Sequence, residues 1–547
     1  MTAKVKLQQV IDRRSTALAV ALALAFLAPA AGAQVRVDPE VGEIGPIGTL
    51  PVKDGVVQLS LDEAIRVALE RNLGLVVERY RLASADYDIL RNQGIFDQNA
   101  TVGLLAWEEE SPAASNLDVG LGGGPQVQIQ ENQRVDLGWS RLVPSGGTAS
   151  FSVNNSRFVT NSTFATLNPS FRVDFDLGFS QPLLRNFGTA NTRRGIRVAR
   201  LNRQVSRENF ELQVQAVVQL VEQAYWNLVE AREQYVVAEE SLALAKELHE
   251  QNRIRVDVGT LAPLELVQSE AGIATREEQL IRATAAIGDA EDRLRQLLNV
   301  PTDARWNTLF EPTTEPETAK LEIDLEEAMQ TALERRPDLR AKRLQQQNLE
   351  ADLDYFDNQK LPRLDLDVTY GYNGVGGDVT VRDIFTGEII STAPGGYSDA
   401  LTQVSDREFV GWRVALNFAY PIENRVAKAQ SALAEIAFDR GDAELADQEL
   451  AALTEVRRLA RAVDTANQAL ASARVSQRLE EENLDAERKR YDNGMSTSFQ
   501  VLQIQEDLTE ARQRVVNATT GLRKAMALYF QATGELLSNS GIEIAGE

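Results

Sequence analysis

The sequence predicts an α+β membrane protein made of two tandem repeats. Each repeat holds a short capped helix, a pair of membrane-crossing β-strands and a long coiled-coil helical hairpin. Three observations predict this. The segment from Leu61 to Asn72 (LDEAIRVALERN) returns as Leu325 to Arg336 (LEEAMQTALERR). Later landmarks recur in the same order, Gln181-Pro182-Leu183 against Tyr420-Pro421-Ile422 and Arg255-x-x-x-Gly259 against Arg490-x-x-x-Gly494. Between the landmarks, stretches of strict two-residue alternation give way to heptads, the periods of a two-faced strand and of a coiled coil.

The elements follow in order. Residues 1–33 read as a secretory signal: Lys4, Lys6, Arg13 and Arg14 precede an apolar run from Ala17 to Leu27 and a small-residue cleavage site at Ala31-Gly32-Ala33. The Arg13-Arg14 pair lacks the rest of a twin-arginine motif. No other segment approaches the ~20 apolar residues of a membrane helix. Residues 34–58, with Pro39, Gly42, Gly45, Pro46, Gly48 and Pro51 and no periodicity, read as an extended arm. The first repeat spans 59–305, a linker 306–322, the second repeat 323–537 and a tail 538–547. Ser60 and Asp324 are placed to cap the opening helices, and the acidic residues after them suit helix N-termini.

The β-regions are expected at about 98–181 and 362–421. Phe171, Val173, Phe175, Leu177 and Phe179 alternate with Arg172, Asp174, Asp176, Gly178 and Ser180. Leu364 to Tyr372 and Val410 to Tyr420 alternate in the same way. Runs of about 9–11 residues with one apolar and one charged face have the length of tilted membrane strands. A lipid-exposed strand edge leaves backbone groups unpaired at several kcal/mol each, and a closed barrel needs about eight strands or more. One pair per repeat gives about four per chain, so several chains must share one barrel. The segments around Val135-Leu137-Trp139 and Phe151-Val153, joined through Pro144-Ser145-Gly146-Gly147, read as an extension or decoration of that barrel, with extra barrel strands as the alternative.

Phe210, Val214, Val217, Val221, Ala224, Leu228, Ala231, Tyr235, Ala238, Leu242 and Ala245 step by four and three. They predict a helix from about 196 to 257, roughly 90 Å long at 1.5 Å per residue. Gly259 ends it, and a return helix is expected with a seam of Leu264, Val267, Ala271, Ala274, Ile281 and Ala285. The second repeat repeats this, with a helix at about 422–491, a turn near 492–498, and a return seam of Val515, Ala518, Leu522, Ala525 and Tyr529.

Composition removes several function classes. The chain has no cysteine, which excludes disulfides, thiolate metal sites, cysteine nucleophiles and an N-terminal lipid anchor on cysteine. Its formal charge is -23, and removing residues 1–33, with four bases and one acid, leaves about -26. So acidic a surface repels nucleic acid. His249 is the only histidine and falls in register with the heptads. Acidic neighbours such as Glu239-Glu240, Glu277-Glu278 and Glu480-Glu481-Glu482 sit side by side on helices and do not face one another. The glycine-rich stretches Gly120 to Gly124 and Gly374 to Gly377 open no helix, so they read as hairpin loops and not as phosphate cradles. No catalytic residue, cofactor or metal site is expected.

On the doubled opening helix, the Gln181-Pro182-Leu183-Leu184 and Tyr420-Pro421 passages and the Arg-x-x-x-Gly turns, the chain resembles the TolC-like outer-membrane efflux proteins over residues 59–537. The resemblance implies a homotrimer with a shared 12-stranded β-barrel in the outer-membrane lipid of a Gram-negative bacterium and an α-helical barrel across the periplasm. It implies a passive exit duct for efflux or type I secretion, docked on a periplasmic adaptor protein and an inner-membrane transporter, with no nucleic acid involved. It assigns Arg255, Gly259 and Leu261, with Arg490, Tyr491, Gly494 and Met495, to adaptor-contacting hairpin tips. Pro182 and Pro421 fall at the strand-to-helix passage. Glu265, Gln268, Gln500 and Gln503 fall at the pore entrance, where well-known members carry an acidic pair in the second copy. The alternative is a soluble periplasmic coiled-coil scaffold, which leaves the aromatic, charged-backed strands without a purpose.

Overall fold

The structure is a computed structural model and describes residues 52–53, 56–112, 127–162, 164–301, 304–316, 319–382 and 388–542. The expected signal segment, nearly all of the arm, Gly120 to Gly124 and the end of the tail lie outside the described residues. In chain order the elements are β1 (Val52–Lys53), β2 (Val56–Leu59), α1 (Leu61–Arg71), α2 (Leu73–Gln93), β3 (Asn99–Pro112), β4 (Val127–Leu142), β5 (Thr148–Thr160) and β6 (Leu167–Pro182). There follow α3 (Thr189–Thr192), α4 (Arg194–Asp257), α5 (Leu264–Leu297), β7 (Leu309–Pro312), α6 (Leu325–Arg335), α7 (Pro337–Gln359), β8 (Arg363–Arg382) and β9 (Ile389–Ala393). The chain closes with α8 (Tyr397–Ser405), β10 (Phe409–Ala419), α9 (Arg425–Asp492), α10 (Ser498–Thr533) and α11 (Leu536–Asn539). They form two compact units, one holding Asp88–Arg200 and Asn348–Phe438, the other Pro39–Tyr87, Leu201–Gln347 and Asp439–Glu547.

The first unit is built on one antiparallel sheet in the order β10-β8-β6-β5-β4-β3, with the short β9 added to β8. The first repeat therefore supplies four strands, β3 to β6, and not the single pair expected of it. The reversal between β4 and β5 makes this possible. Val143 N–H donates to Gly147 O at 2.7 Å and Gly146 N–H to Val143 O at 2.9 Å. Gly146 sits at φ +91, a region that costs glycine nothing. A second departure concerns Gly374 to Gly377, read from sequence as a loop. These residues lie inside β8, and the glycines serve close packing instead: a Cβ at Gly374 would lie 2.1 Å from Ala400 O of α8, and one at Gly376 2.2 Å from Gly396 O.

In the second unit the opening helices are capped alike. Ser60 Oγ accepts from Glu63 N–H at 3.2 Å, and Asp324 Oδ1 accepts from Glu326 N–H at 2.9 Å. Each is followed at once by a second helix, α2 or α7, which the sequence reading did not separate. Asn72 Oδ1 accepts from Gly74 N–H to restart the first, and Pro337 takes the first position of the second, where its missing N–H costs nothing. The end of the supposed arm is β2, which pairs in parallel with β7 from the linker.

Two apolar cores hold this unit. In the first, α1, α4, β2 and β7 close around Tyr225 and Trp226, both fully buried. In the second, Ala328 and Ala332 of α6 pack on Val456, Leu459 and Val463 of α9 and on Leu522 and Tyr529 of α10. The heptad seam of α4 from Val214 to Ala245 is buried apart from Tyr235, which is half-buried. The seam of α5 is not: Leu264, Val267 and Ile281 are exposed, Ile281 by 70 %, while Ser269, Arg276 and Leu294 face inward. Among the described residues no helix is long and apolar enough to cross a membrane.

Tyr225 gives a direct test of the first core. Its buried hydroxyl donates to Leu59 O and accepts from Thr314 N–H, both at 3.0 Å. Leu59 O also accepts from Thr313 N–H at 3.1 Å, so Tyr225→Phe should strand the Thr314 N–H alone and destabilise this unit by about 1–2 kcal/mol. An unchanged denaturation midpoint would show that Thr314 N–H finds another partner.

Candidate functional site

Two features of the chain are built for function, one in each unit. In the first, the sheet separates its side chains by face. Val410, Trp412, Val414, Leu416 and Phe418 of β10 stand directly opposite Tyr372, Tyr370, Val368, Leu366 and Leu364 of β8. Phe175, Leu177 and Phe179 of β6 continue the same rows. Ring contacts tie the rows together, Phe175 with Tyr372 at 6.2 Å and Tyr370 with Tyr372 at 5.4 Å between centroids. Trp412 is 75 % exposed and Phe418 66 % exposed, so these rows are uncovered in one chain. Farther along the strands α8 covers the same face, where Val173 is buried and Phe171 meets Tyr397 at 6.2 Å between centroids. The opposite face carries Asp174, Asp176, Asp367 and Arg413 on the alternate residues. Arg172 and Asp174 pair there at 3.1 Å. One face needs an apolar medium and the other needs water.

The strands pass into the helices at two proline landmarks. Pro182 ends β6 opposite Asp365, and the next residues tie back to the second copy, Leu183 N–H donating to Leu364 O at 2.7 Å. Pro421 follows β10, and Asn424, at φ +45, donates its side-chain N–H to Lys360 O at 3.0 Å.

In the second unit the two hairpin turns meet. The Arg-x-x-x-Gly motif proves to be a helix C-cap. Gly259 at φ +76 and Gly494 at φ +72 take the left-handed position after each long helix. Thr260 N–H donates to Arg255 O at 2.8 Å and Met495 N–H to Arg490 O at 2.9 Å, so each arginine supplies the last carbonyl of the cap. The arginine side chains then diverge. Arg255 reaches across to the other hairpin, donating to Tyr491 O at 3.2 Å and Asp492 Oδ1 at 3.1 Å, with its guanidinium 4.4 Å from the Tyr491 ring centre. Arg490 stays on its own helix, 2.9 Å from Glu487.

Tyr491 is buried in a small core with Leu248, Leu484, Val501 and Leu508, and its hydroxyl donates to Asn252 Oδ1. Burial lifts its phenol above the ordinary value and Glu265 adds to this, while Arg255 opposes both, so the hydroxyl stays a donor.

Of the residues expected at the pore entrance, Glu265, Gln500 and Gln503 are already engaged. Glu265, half-buried, accepts from Ser498 Oγ of the other hairpin. Gln268 is half-buried, and its Oε1 has no hydrogen-bond partner among the described residues. Gln500 is exposed and completes a capping box with Thr497 at the start of α10. Gln503 is exposed and donates to Asp507 at 3.2 Å. Leu261 is half-buried and Met495 exposed. His249 Nδ1 lies 2.8 Å from Ser269 Oγ, a structural pairing.

Sequence reasoning missed a polar knot above the tip. Arg276, nearly buried on α5, donates to Ser241 Oγ at 3.0 Å and pairs with Glu506 of α10 at 3.3 Å, while Thr509 Oγ1 meets Ser241 Oγ at 3.0 Å. Burial pulls the Arg276 pKa down and Glu506 pushes it back. The signal that could have found it is Ser269, Gly272 and Arg276 at steps of three and four, a small and polar seam on the face of α5 opposite to its apolar residues.

The clamp at the tip makes a prediction. Arg255→Ala removes an ion pair that is largely exposed on the Asp492 side and a cation–π contact, together worth about 1 kcal/mol. Amide exchange over 489–496 should quicken roughly fivefold, whereas Arg490→Ala should leave the opposite hairpin unchanged. Equal effects of the two variants would remove the assigned difference between the copies.

The model of the outer membrane efflux protein family matches residues 130–300 and 328–535. Among solved structures, the outer-membrane channel OprN aligns at a TM-score of 0.60 with 17 % identity, over 87 % of this chain and 89 % of its own. The CmeC outer membrane channel of Campylobacter jejuni aligns at 0.60 with 16 % identity, over 87 % and 86 %. The MtrE outer membrane channel of Neisseria gonorrhoeae, in its open state, aligns at 0.57 with 17 % identity, over 87 % and 89 %. These likenesses show the fold. A search among curated proteins finds no match.

Proposed function

The chain belongs to the outer membrane efflux protein family, whose members are channels and not enzymes, and from that membership we propose a homotrimeric exit duct. Three copies share one β-barrel in the outer membrane of a Gram-negative bacterium and one α-helical barrel in the periplasm. The duct takes substrates from an inner-membrane transporter through a periplasmic adaptor and releases them outside, as part of an efflux or type I secretion system. It conducts passively; the transporter supplies the energy and chooses the substrate. In this reading the tip residues Arg255, Gly259, Leu261, Arg490, Tyr491, Gly494 and Met495 form the adaptor-facing end, and Glu265, Gln268, Gln500 and Gln503 line the entrance.

The single observation that carries the reading is the two-faced sheet whose outer strands, β3 and β10, each pair on one side only among the described residues. Such a sheet is stable in lipid only when copies close it into a ring. The helices support it independently. The uncovered seam of α5 and the exposed Val426, Leu433 and Leu450 of α9 are apolar surfaces that further copies would cover. A soluble scaffold leaves both sets in water.

Electron microscopy of protein extracted from membranes in detergent should show a three-fold tube with a detergent belt at one end. A detergent-free rod recovered from the soluble periplasm would refute the duct. A second test addresses the entrance. With glutamines at 500 and 503, its carboxylates are three copies of Glu265. Multivalent cations should block the channel in planar bilayers about tenfold less tightly than they block the double variant Gln500→Glu, Gln503→Glu. Equal block of both proteins would remove these positions from the entrance.

A further inference from the structure

We propose that all six long strands of this chain cross the outer membrane, so that three copies close an 18-stranded barrel in which β10 of one copy pairs with β3 of the next. The inference rests on the trimeric duct proposed above and changes what stands in the membrane: six strands per chain, three chains, eighteen in all, where the family resemblance implies twelve.

Four observations carry it. The first is the face pattern. The row that starts at Trp412 and Tyr370 runs on through Leu177, Phe151 and Trp139 to Ala100. The next row runs from Val410 and Tyr372 through Phe175, Val153 and Leu137 to Val102. The apolar face thus continues without a break across β5, β4 and β3, and Leu104 at its far end is 67 % exposed. The opposite face is polar over the same distance, with Asn373, Asp174, Asn154 and Asp136 in one row. A flap standing in water outside the barrel has no need of that division.

The second is stagger. Level with Val414 along the ladders stand Val368, Phe179, Ala149 and Arg141. Val414 and Val368 lie in the middle of the apolar runs of β10 and β8. The run of β6 is centred instead on Phe175 and that of β4 on Leu137, each four residues from its level partner. The apolar band thus steps by four residues between β8 and β6 and stays level across β5 and β4. It is offset over the sheet in the sense that a band parallel to the bilayer requires of tilted strands.

The third is the placing of the connections. Strand β3 enters the sheet, and β6, β8 and β10 meet helices, at one end. The tight turn 143–147 lies at that end too, because Thr148 pairs with Ser180 two residues before Pro182. It is fastened to the passage by Gln181, whose Nε2 donates to Ser145 O at 3.0 Å, and by Gly188 N–H, which donates to Ser145 O at 3.0 Å. The strand ends Pro112 and Val127, Thr160 and Leu167, and Arg382 and Phe409, which the other three connections join, all fall at the other end. Short turns on the periplasmic side and longer loops outside are the rule for outer-membrane barrels.

The fourth is parity. Neighbouring strands are antiparallel throughout, and with six per chain β10 and β3 run in opposite directions. Head-to-tail copies therefore continue the antiparallel order around the ring. At ~4.8 Å between strands and a tilt of ~40°, eighteen strands make a barrel about 36 Å across, against about 24 Å for twelve.

The test uses the whole protein in membranes and the absence of native cysteine. Single cysteines at Leu137 and Val153 should resist a charged maleimide and react with a lipid-soluble one, as Leu177→Cys in β6 should. Asn154→Cys should react with the charged reagent, as Asp176→Cys should. Labelling of Leu137→Cys and Val153→Cys by the charged reagent, with Leu177→Cys still protected, would overturn the proposal and leave the duct in place. Labelling of Leu177→Cys as well would overturn the duct itself. Counting strands by electron microscopy of the unmodified protein decides the matter should a variant fail to assemble: eighteen with β3 beside β10 is expected, and twelve refutes it.

Discussion

The constraint on which the rest of this structure depends is that a backbone amide in lipid must find its partner in protein. Within the sheet it is met strand by strand, by ladders that pair every long strand with its neighbour. At β3 and β10 it is not met inside one chain. In the proposed duct those bonds are deferred to another copy, most of the apolar face is left to lipid, the polar face keeps its aspartates, and the ring supplies what one chain lacks.

Duplication supplies the parts and divergence gives them different tasks. Both hairpins end in the same helix cap, in which the carbonyl two residues before the last helical residue, Arg255 or Arg490, and a glycine two beyond it close the turn. The side chains carry no such obligation. Arg255 crosses to the other hairpin and Arg490 does not, so two caps of like backbone differ in what their side chains hold. The same holds at the return helices: α10 starts with a Thr497–Gln500 capping box, whereas α5 starts behind Pro263.

Long periodic signals were legible in the sequence and short or shared ones were not. The heptads of α4 predicted its buried seam because that seam packs within the chain. The heptads of α5 predicted a helix but not its partner: Leu264, Val267 and Ile281 are outside, and the inward face is the polar run through Ser269 and Arg276. Periodicity shows that a stripe will be covered but not by what. In the sheet, β6, β8 and β10 announced themselves through five or six apolar residues in alternation. Strands β3 to β5 have shorter apolar runs, such as Val135, Leu137 and Trp139, flanked by Gln133 and Arg141, and so read as ornament. Gly374 and Gly376 looked like a loop because glycine signals permissive backbone; here the permission is used for the close approach of α8. At the tip, the residue types at 265, 268, 500 and 503 were plain, and the Thr497-x-x-Gln500 capping box has a local signature, but the hydrogen bond of Glu265 to Ser498 arises from the meeting of two hairpins and has none.

The two kinds of unfinished surface restrict the assembly further. In the proposed ring a strand edge such as β10 is completed by a different edge, β3, so the contact between copies is heterologous. A heterologous contact gives a closed ring when its rotation divides a full turn and an open fibre when it does not. The sheet sets part of that rotation through its tilt and strand number, and the uncovered seams of α5 and α9 must be covered by the same neighbour under the same rotation. An inserted strand pair in the first repeat alters the arc that each chain spans in the membrane without altering the heptads. A wider barrel and an unchanged number of copies are compatible on one condition: the added strands enlarge the circumference and leave the angle per chain at one third of a turn. Six strands in each of three chains meet that condition as well as four do, since both are even and both preserve antiparallel order at every junction.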